Sequence, residues 1–196
     1  MKTKGIFVCV EGLDGCGKTT QAKLLVAKLK KEYDAIYTAE PSNGKIGAFV
    51  RNQYLYGEKR VSCVTEALMF AADRIDHVEN EILPALKDGQ LVVSDRYLYS
   101  SLAYQGAAGL DLSWIEKINQ FALVPDFGVY IDVDPKVVMQ RLNRKKSVME
   151  DLATQQKVRE IYLKLVTDGH LAKIDGEKSK VAVAAELLRI VLERLH

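Results

Sequence analysis

Gly12-Leu13-Asp14-Gly15-Cys16-Gly17-Lys18-Thr19 constrains this chain more than any other stretch. The spacing G-x-x-x-x-G-K-[ST] works as a phosphate cradle only between a strand and a helix. Both flanks are legible. Residues 5–10, Gly-Ile-Phe-Val-Cys-Val, form a continuous apolar run of β-branched and aromatic type, as in a strand buried on both faces of a parallel sheet. From about Lys18 onward, Ala22, Leu25, Val26 and Leu29 recur at i, i+3, i+4 and i+7 and give a helix one apolar face. In such a loop the glycines let backbone N–H groups turn toward phosphate oxygens, reinforced by the helix N-terminus. Lys18 would bridge the β- and γ-phosphates of a nucleoside triphosphate, and Thr19, with Thr20 beside it, would offer a hydroxyl toward Mg2+. Cys16 reads as a small residue facing away from the phosphates. No Asn-Lys-x-Asp segment is present to read guanine, so ATP is the expected donor.

The rest of the chain alternates strands and helices. Further strands are expected at 35–39, 91–94, 127–133 and 171–174. Helices are expected at 46–56, 65–83, after Asp95-Arg96, at 113–123, after Asp134-Pro135, at about 151–168 and at the C-terminus. In the 65–83 helix, Leu68, Ala72, Ile75, Val78 and Ile82 make the expected core stripe. The pattern predicts one α/β domain over 1–196: a P-loop NTPase fold with a five-stranded parallel sheet, helices on both faces, and a short mobile lid at about 141–150.

Charge narrows the partners. With 28 Lys+Arg against 26 Asp+Glu the net charge is +2. That balance gives no reason to expect a nucleic acid or an anionic membrane surface. Three cysteines, odd in number and without CxxC spacing, suggest neither a disulfide framework nor zinc. No apolar run approaches the ~20 residues of a membrane span. A cytoplasmic location follows as the expectation.

Phosphoryl transfer between two anions needs cations beyond Lys18. Arg51, Arg74, Arg96, Arg141 and Arg144 stand at loops and helix ends, and the guanidinium fork suits phosphate. Asp95-Arg96 directly follows the third strand, at the carboxyl edge where open α/β sheets bind ligands. Asp95 could hold the Mg2+ shell through water there, and Arg96 could meet an acceptor phosphate.

These motifs resemble those of thymidylate kinases. The resemblance runs through Phe7-Val-Cys-Val-Glu-Gly-Leu-Asp-Gly-Cys-Gly-Lys-Thr-Thr-Gln21, Glu40-Pro41 and Phe70-Ala-Ala-Asp-Arg74. It continues through Asp95-Arg-Tyr-Leu-Tyr-Ser-Ser-Leu-Ala-Tyr-Gln-Gly106, Pro125-Asp-Phe-Gly-Val-Tyr-Ile-Asp-Val-Asp-Pro135 and Ile174-Asp-Gly176. It implies transfer of the γ-phosphate of ATP to thymidine 5′-monophosphate (dTMP). By position, Phe70 would stack on thymine and Arg74 would donate to O4. The resemblance also implies that Arg51 and Arg96 grip the acceptor phosphate. Ser101 and Gln105 would lie beside the pyrimidine, Tyr104 against the sugar, Asp14 near the 3′-hydroxyl, and Glu40 in the same dTMP site. Glu11 would help orient the acceptor side, the loop after Gly176 would flank adenine, and a homodimer is implied.

The chain departs from the family in two places. Gly15 stands where some members carry an arginine, so the transition-state cation is expected from the lid, with Arg144 first and Arg141 stacking on adenine. Thr154 stands about where an aromatic is common. Another nucleoside monophosphate or deoxynucleoside kinase, or a non-catalytic ATP-binding switch, stay open as alternatives.

Overall fold

The computed structural model describes residues 5–55, 61–141 and 151–195. Its center is a five-stranded sheet, all parallel, of β1 (Ile6–Gly12), β2 (Ala35–Ala39), β3 (Leu91–Asp95), β4 (Phe127–Asp132) and β5 (Ala172–Asp175) in the order β2-β3-β1-β4-β5. The expected five strands are all present, with ends shifted by one or two residues. Phe7, Val8, Cys9 and Val10 of β1 are fully buried, as are Val92 and Val93 of β3.

Topology explains the layers. The chain leaves β1 through α1 (Lys18–Leu29) toward the β2 side, then crosses back from β3 to β4 through α5 (Leu98–Ala107) and α6 (Leu112–Ile118). Right-handed crossovers running in opposite directions put their helices on opposite faces. Accordingly α1 packs with the last helix, α9 (Lys180–Leu195), while α5 packs with α8 (Leu152–Thr167). Asp151 caps α8 by accepting from the Thr154 N–H at 2.9 Å. Because β1 lies between β3 and β4, the ends of these strands bring Gly12, Asp95 and Asp132 to one edge. In register, Val10 stands opposite Asp95, and Asp95 opposite Ala39.

The helix expected at 46–56 is α2 (Lys45–Val50) continued by a π-helical stretch, Arg51–Leu55. The helix at 65–83 starts earlier, at Cys63, where Ser62 caps it through the Thr65 N–H. It runs as α3 (Cys63–His77) through π-helical Val78–Ile82 into α4 (Leu83–Lys87), and Pro84 sits harmlessly in the first turn of α4. α6 ends at Ile118, short of the expected 123, and Phe121 and Val124 beyond it are exposed. α7 (Pro135–Arg141) leads to the lid expected at 141–150, of which only Arg141 lies among the described residues.

One expectation holds only in part. Of the expected stripe Leu68, Ala72, Ile75, Val78 and Ile82, the last two are core at 4% and 0% exposed, but Leu68 is 47% exposed, Ala72 is also exposed and Ile75 is half-buried. The buried face of α3 is instead Glu66, Ala67, Ala71, Asp73, Arg74 and His77. Periodicity assumes that polar side chains seek water, but here each buried polar group finds a protein partner. Asp73 accepts from the Ser42 N–H and hydroxyl at 2.8 and 2.6 Å, and His77 pairs with Thr38 at 2.6 Å.

Candidate active site

The loop after β1 wraps tightly for reasons local to its glycines. A Cβ at Gly12 would stand 2.6 Å from the Cys16 sulfur and 3.0 Å from the Ile131 carbonyl oxygen. Gly17 begins α1 with φ 97°, a left-handed conformation that L side chains avoid. Gly15, at φ 84°, turns the loop between them. Leu13 and Cys16 point down into the core, where burial raises the Cys16 thiol above its ordinary pKa and makes it a poor thiolate. Thr19 and Thr20 are exposed at the mouth. The Lys18 ammonium folds over the loop, donating to the Leu13 carbonyl at 3.1 Å and lying 3.5 Å from Asp14 Oδ1.

Asp14 joins that loop to the neighboring strand end. Arg96 Nη2 donates to Asp14 Oδ1 at 2.6 Å, Nη1 donates to Ser100 Oγ at 2.8 Å, and the guanidinium lies 4.9 Å from the center of the Tyr104 ring. Tyr104 in turn accepts from the Asp14 N–H at 3.1 Å. Burial opposes the charge of Arg96, yet Asp14 and the surrounding oxygens hold its pKa above the ordinary value. Arg96 has φ 72°, the one positive φ outside glycine among the described residues. Such strain costs about 1–3 kcal/mol and persists only when over-determined. Here the Arg96 N–H donates to the Val10 carbonyl at 3.0 Å, and the Ser94 hydroxyl donates to the Arg96 carbonyl at 2.7 Å.

Beside it, Asp95 Oδ2 accepts from the Thr19 hydroxyl, and from the Tyr37 hydroxyl at 3.3 Å. Asp95 Oδ1 is buried without a hydrogen-bond partner. An orphaned carboxylate oxygen next to the threonine of a phosphate loop fits the outer shell of a hard divalent cation.

A second cluster spans α3 and α5. On α3, Glu66, Phe70 and Arg74 are spaced i, i+4, i+8 and share one face; on α5, Ser101 and Gln105 are spaced i, i+4. Two hydrogen bonds cross between the helices. Gln105 Nε2 donates to Glu66 Oε1 at 2.9 Å, and Arg74 Nη2 donates to Ser101 Oγ at 3.1 Å. Half-buried Phe70 lies on α3 midway between these rungs. Arg74 also donates through Nε and Nη2 to Glu40 Oε2 at 3.0 and 2.7 Å, and through Nη1 to Asn119 Oδ1 at 2.6 Å. Four of its five N–H groups are thereby used, leaving one on Nη1. Gln105 Oε1 is buried without a partner. The two-helix frame thus carries one half-buried aromatic ring, one unassigned Arg74 N–H and one bare amide oxygen.

The profile of the thymidylate kinase family matches residues 10–187, most of the chain. The chain belongs to the thymidylate kinase family. A thymidylate kinase of Caldanaerobacter subterraneus subsp. tengcongensis is 43% identical over 98% of this chain and 97% of its own. A probable thymidylate kinase of Thermococcus onnurineus is 47% identical over 82% and 83%, and one of Staphylothermus marinus 39% identical over 99% and 98%. Membership makes the protein a nucleoside monophosphate kinase, an ATP-using transferase.

The remaining residues expected from the family resemblance take other places. Arg51 donates to the Pro41 carbonyl, and to the Ser42 carbonyl at 2.7 Å, so it sits over the loop that follows β2. Glu40 faces Arg74, with its other oxygen 3.3 Å from His77. Arg141 is exposed at the end of α7, and Arg144 lies outside the described residues. Gly176 packs on Ile131 and Val133, which sets the loop after β5 beside the end of β4.

Asn119, Tyr162 and Glu66 are not singled out by the sequence reading, whereas Glu11 is expected there to orient the acceptor side. Asn119 fixes Arg74 from a helix end that carries no motif. Tyr162 donates to Glu11 at 2.9 Å from across the chain. Fully buried Glu11 also accepts from the Tyr97 N–H at 2.9 Å and the Ser100 hydroxyl at 2.6 Å, so it stitches the start of α5 to β1. Glu66 alone had a readable signal, its place one helical turn before Phe70.

Proposed function

We propose that this enzyme transfers the γ-phosphoryl group of ATP to dTMP, giving dTDP and ADP, with Mg2+ as cofactor. The observation that carries the choice of acceptor is the frame around Phe70. Thymine presents O4, an acceptor, next to N3–H, a donor. The spare Nη1 hydrogen of Arg74 suits the first and the bare Oε1 of Gln105 suits the second. Cytosine reverses both groups, placing donor against donor and acceptor against acceptor. Each buried mismatch costs about 1–3 kcal/mol, together roughly 10²- to 10⁴-fold in kcat/KM.

The other roles follow from position. Tyr104 and Asp14 stand where the sugar would lie, and Arg51 and Arg96 on the acceptor phosphate. Lys18, Thr19, Thr20 and the backbone from Gly12 through Gly17 serve the donor phosphates. Glu40 acts by holding Arg74. Asp95 and Thr19 would hold Mg2+ through water, and the ion would neutralize charge on the phosphates when bound. No general base is needed, because the acceptor phosphate is already an anion. Catalysis is alignment plus charge neutralization, with Arg144 as the lid cation and Arg141 against adenine.

A homodimer fits the outer face of α3, where Val64 and Leu68 are 43% and 47% exposed and Ala72 continues the stripe one turn on. α5, by contrast, is largely core, with Tyr99, Leu102, Ala103 and Tyr104 buried. Sedimentation at micromolar concentration is expected to give a dimer, and Leu68→Lys a monomer; a monomeric parent protein would contradict this. No described helix is long and apolar enough to cross a membrane. The free thiols of Cys9, Cys16 and Cys63 suit a reducing compartment such as the cytoplasm.

ADP release from ATP·Mg2+ tests the assignment, with dTMP, dUMP, dCMP, dGMP, UMP and thymidine as acceptors. The expected order is dTMP first and dUMP second, with dCMP and thymidine far behind. Turnover of thymidine or dCMP but not dTMP would refute the reading, and turnover of none would favor a switch.

A further inference from the structure

We propose that Glu66 is the residue that sets base selectivity, by locking the side-chain amide of Gln105 in one of its two orientations. The inference rests on the thymine reading above and extends it to a residue that need not touch the nucleotide. A glutamine amide is ambidextrous: rotated by half a turn, it presents N–H where it had presented C=O. At Gln105 that choice decides which pyrimidine is welcome. With Oε1 toward the base the site takes an N3–H, as in thymine and uracil. With Nε2 toward the base it takes a bare N3, as in cytosine.

The structure contains a device that removes the choice. Gln105 Nε2 donates to Glu66 Oε1 at 2.9 Å, and an ionized carboxylate can only accept. Glu66 lies in the first turn of α3, where the helix dipole favors the anion. Flipping the amide would set Gln105 Oε1 against that carboxylate. No solvent is at hand to relieve the clash, since Glu66 is 4% and Gln105 2% exposed. The consequence of the lock is visible at the other end of the amide, where Oε1 is buried and unpartnered. The second rung, Arg74 Nη2 to Ser101 Oγ at 3.1 Å, ties the same two helices together one turn away.

Glu66→Gln is the test, because it keeps shape and burial but can offer either C=O or N–H to Gln105. Its kcat/KM ratio of dTMP to dCMP should fall at least about tenfold, the scale on which one buried polar contact discriminates substrates. The ratio of dTMP to dUMP should not change, because those two share N3–H and differ only by a methyl. A loosened pocket would blur both ratios, so this contrast separates an orientation lock from a merely structural role. In a Gln105→Ala background, Glu66→Gln should have no further effect on the dTMP to dCMP ratio.

An unchanged dTMP to dCMP ratio in folded Glu66→Gln protein would overturn the proposal, as would equal loss in both ratios. If that variant does not fold, Glu66→Ala admits water to the amide and serves the same comparison. Failure of both to fold would mark Glu66 as structural and also overturn the lock. A parent enzyme that uses dCMP as well as dTMP would instead refute the thymine reading itself.

Discussion

Arg96→Met should lower kcat/KM for dTMP by roughly 10²- to 10³-fold, the usual loss when one preorganized charge partner of a transition state is removed. KM for dTMP should rise while KM for ATP changes little, since the donor phosphates keep Lys18 and the loop backbone. The protein should stay folded. Asp14, which Arg96 contacts at 2.6 Å, retains Lys18 at 3.5 Å, and the backbone bond from residue 96 to the Val10 carbonyl needs no guanidinium. Steady-state kinetics with each substrate varied in turn reads the effect. A kcat/KM within a few-fold of the parent would remove Arg96 from the acceptor site.

Arg74→Met has the largest expected effect on stability. Arg74 is 1% exposed and holds Glu40 through two hydrogen bonds, with its ring of partners completed by Asn119 and Ser101. Breaking one side of a buried ion pair leaves the other charge without compensation, at a cost of about 3–5 kcal/mol. For a chain of this length that lowers Tm by roughly 10 °C. Glu40→Gln in the same background should recover part of the loss, because a neutral amide is cheaper to bury than a lone carboxylate. His77 lies 3.3 Å from Glu40 and can share its charge only in part. A Tm within a degree or two of the parent would mean that Arg74 does not stabilize Glu40 as the geometry implies. Any residual activity should show a reduced preference for dTMP over dCMP, linking this pair to the base site.

Local chemistry made part of this molecule readable from sequence. The phosphate loop is legible because its glycines, lysine and threonine must stand at fixed spacing between strand and helix. Asp95-Arg96 is legible because it follows an apolar run at the carboxyl edge of a parallel sheet. α3 is the counterexample. Its hydrophobic stripe suggests that Leu68 and Ala72 face the core, yet the helix buries Asp73, Arg74 and His77. That choice depends on Ser42, Glu40 and Thr38, brought in by another strand and the loop after it, and pairings between distant segments leave no periodic trace. For the same reason Glu66 is legible only by its place one turn before Phe70 and not by its partner Gln105 on a different helix, and Glu11, expected on the acceptor side, gives no sign of its bond to Tyr162.

The place of the base decides how the acceptor is chosen. The most direct measurement is a crystal structure of the enzyme with dTMP and a non-hydrolyzable ATP analogue. The thymine ring should be stacked on Phe70, with O4 accepting from Arg74 Nη1 and N3 donating to Gln105 Oε1. A base bound elsewhere, or bound with Gln105 Nε2 toward N3, would contradict that arrangement.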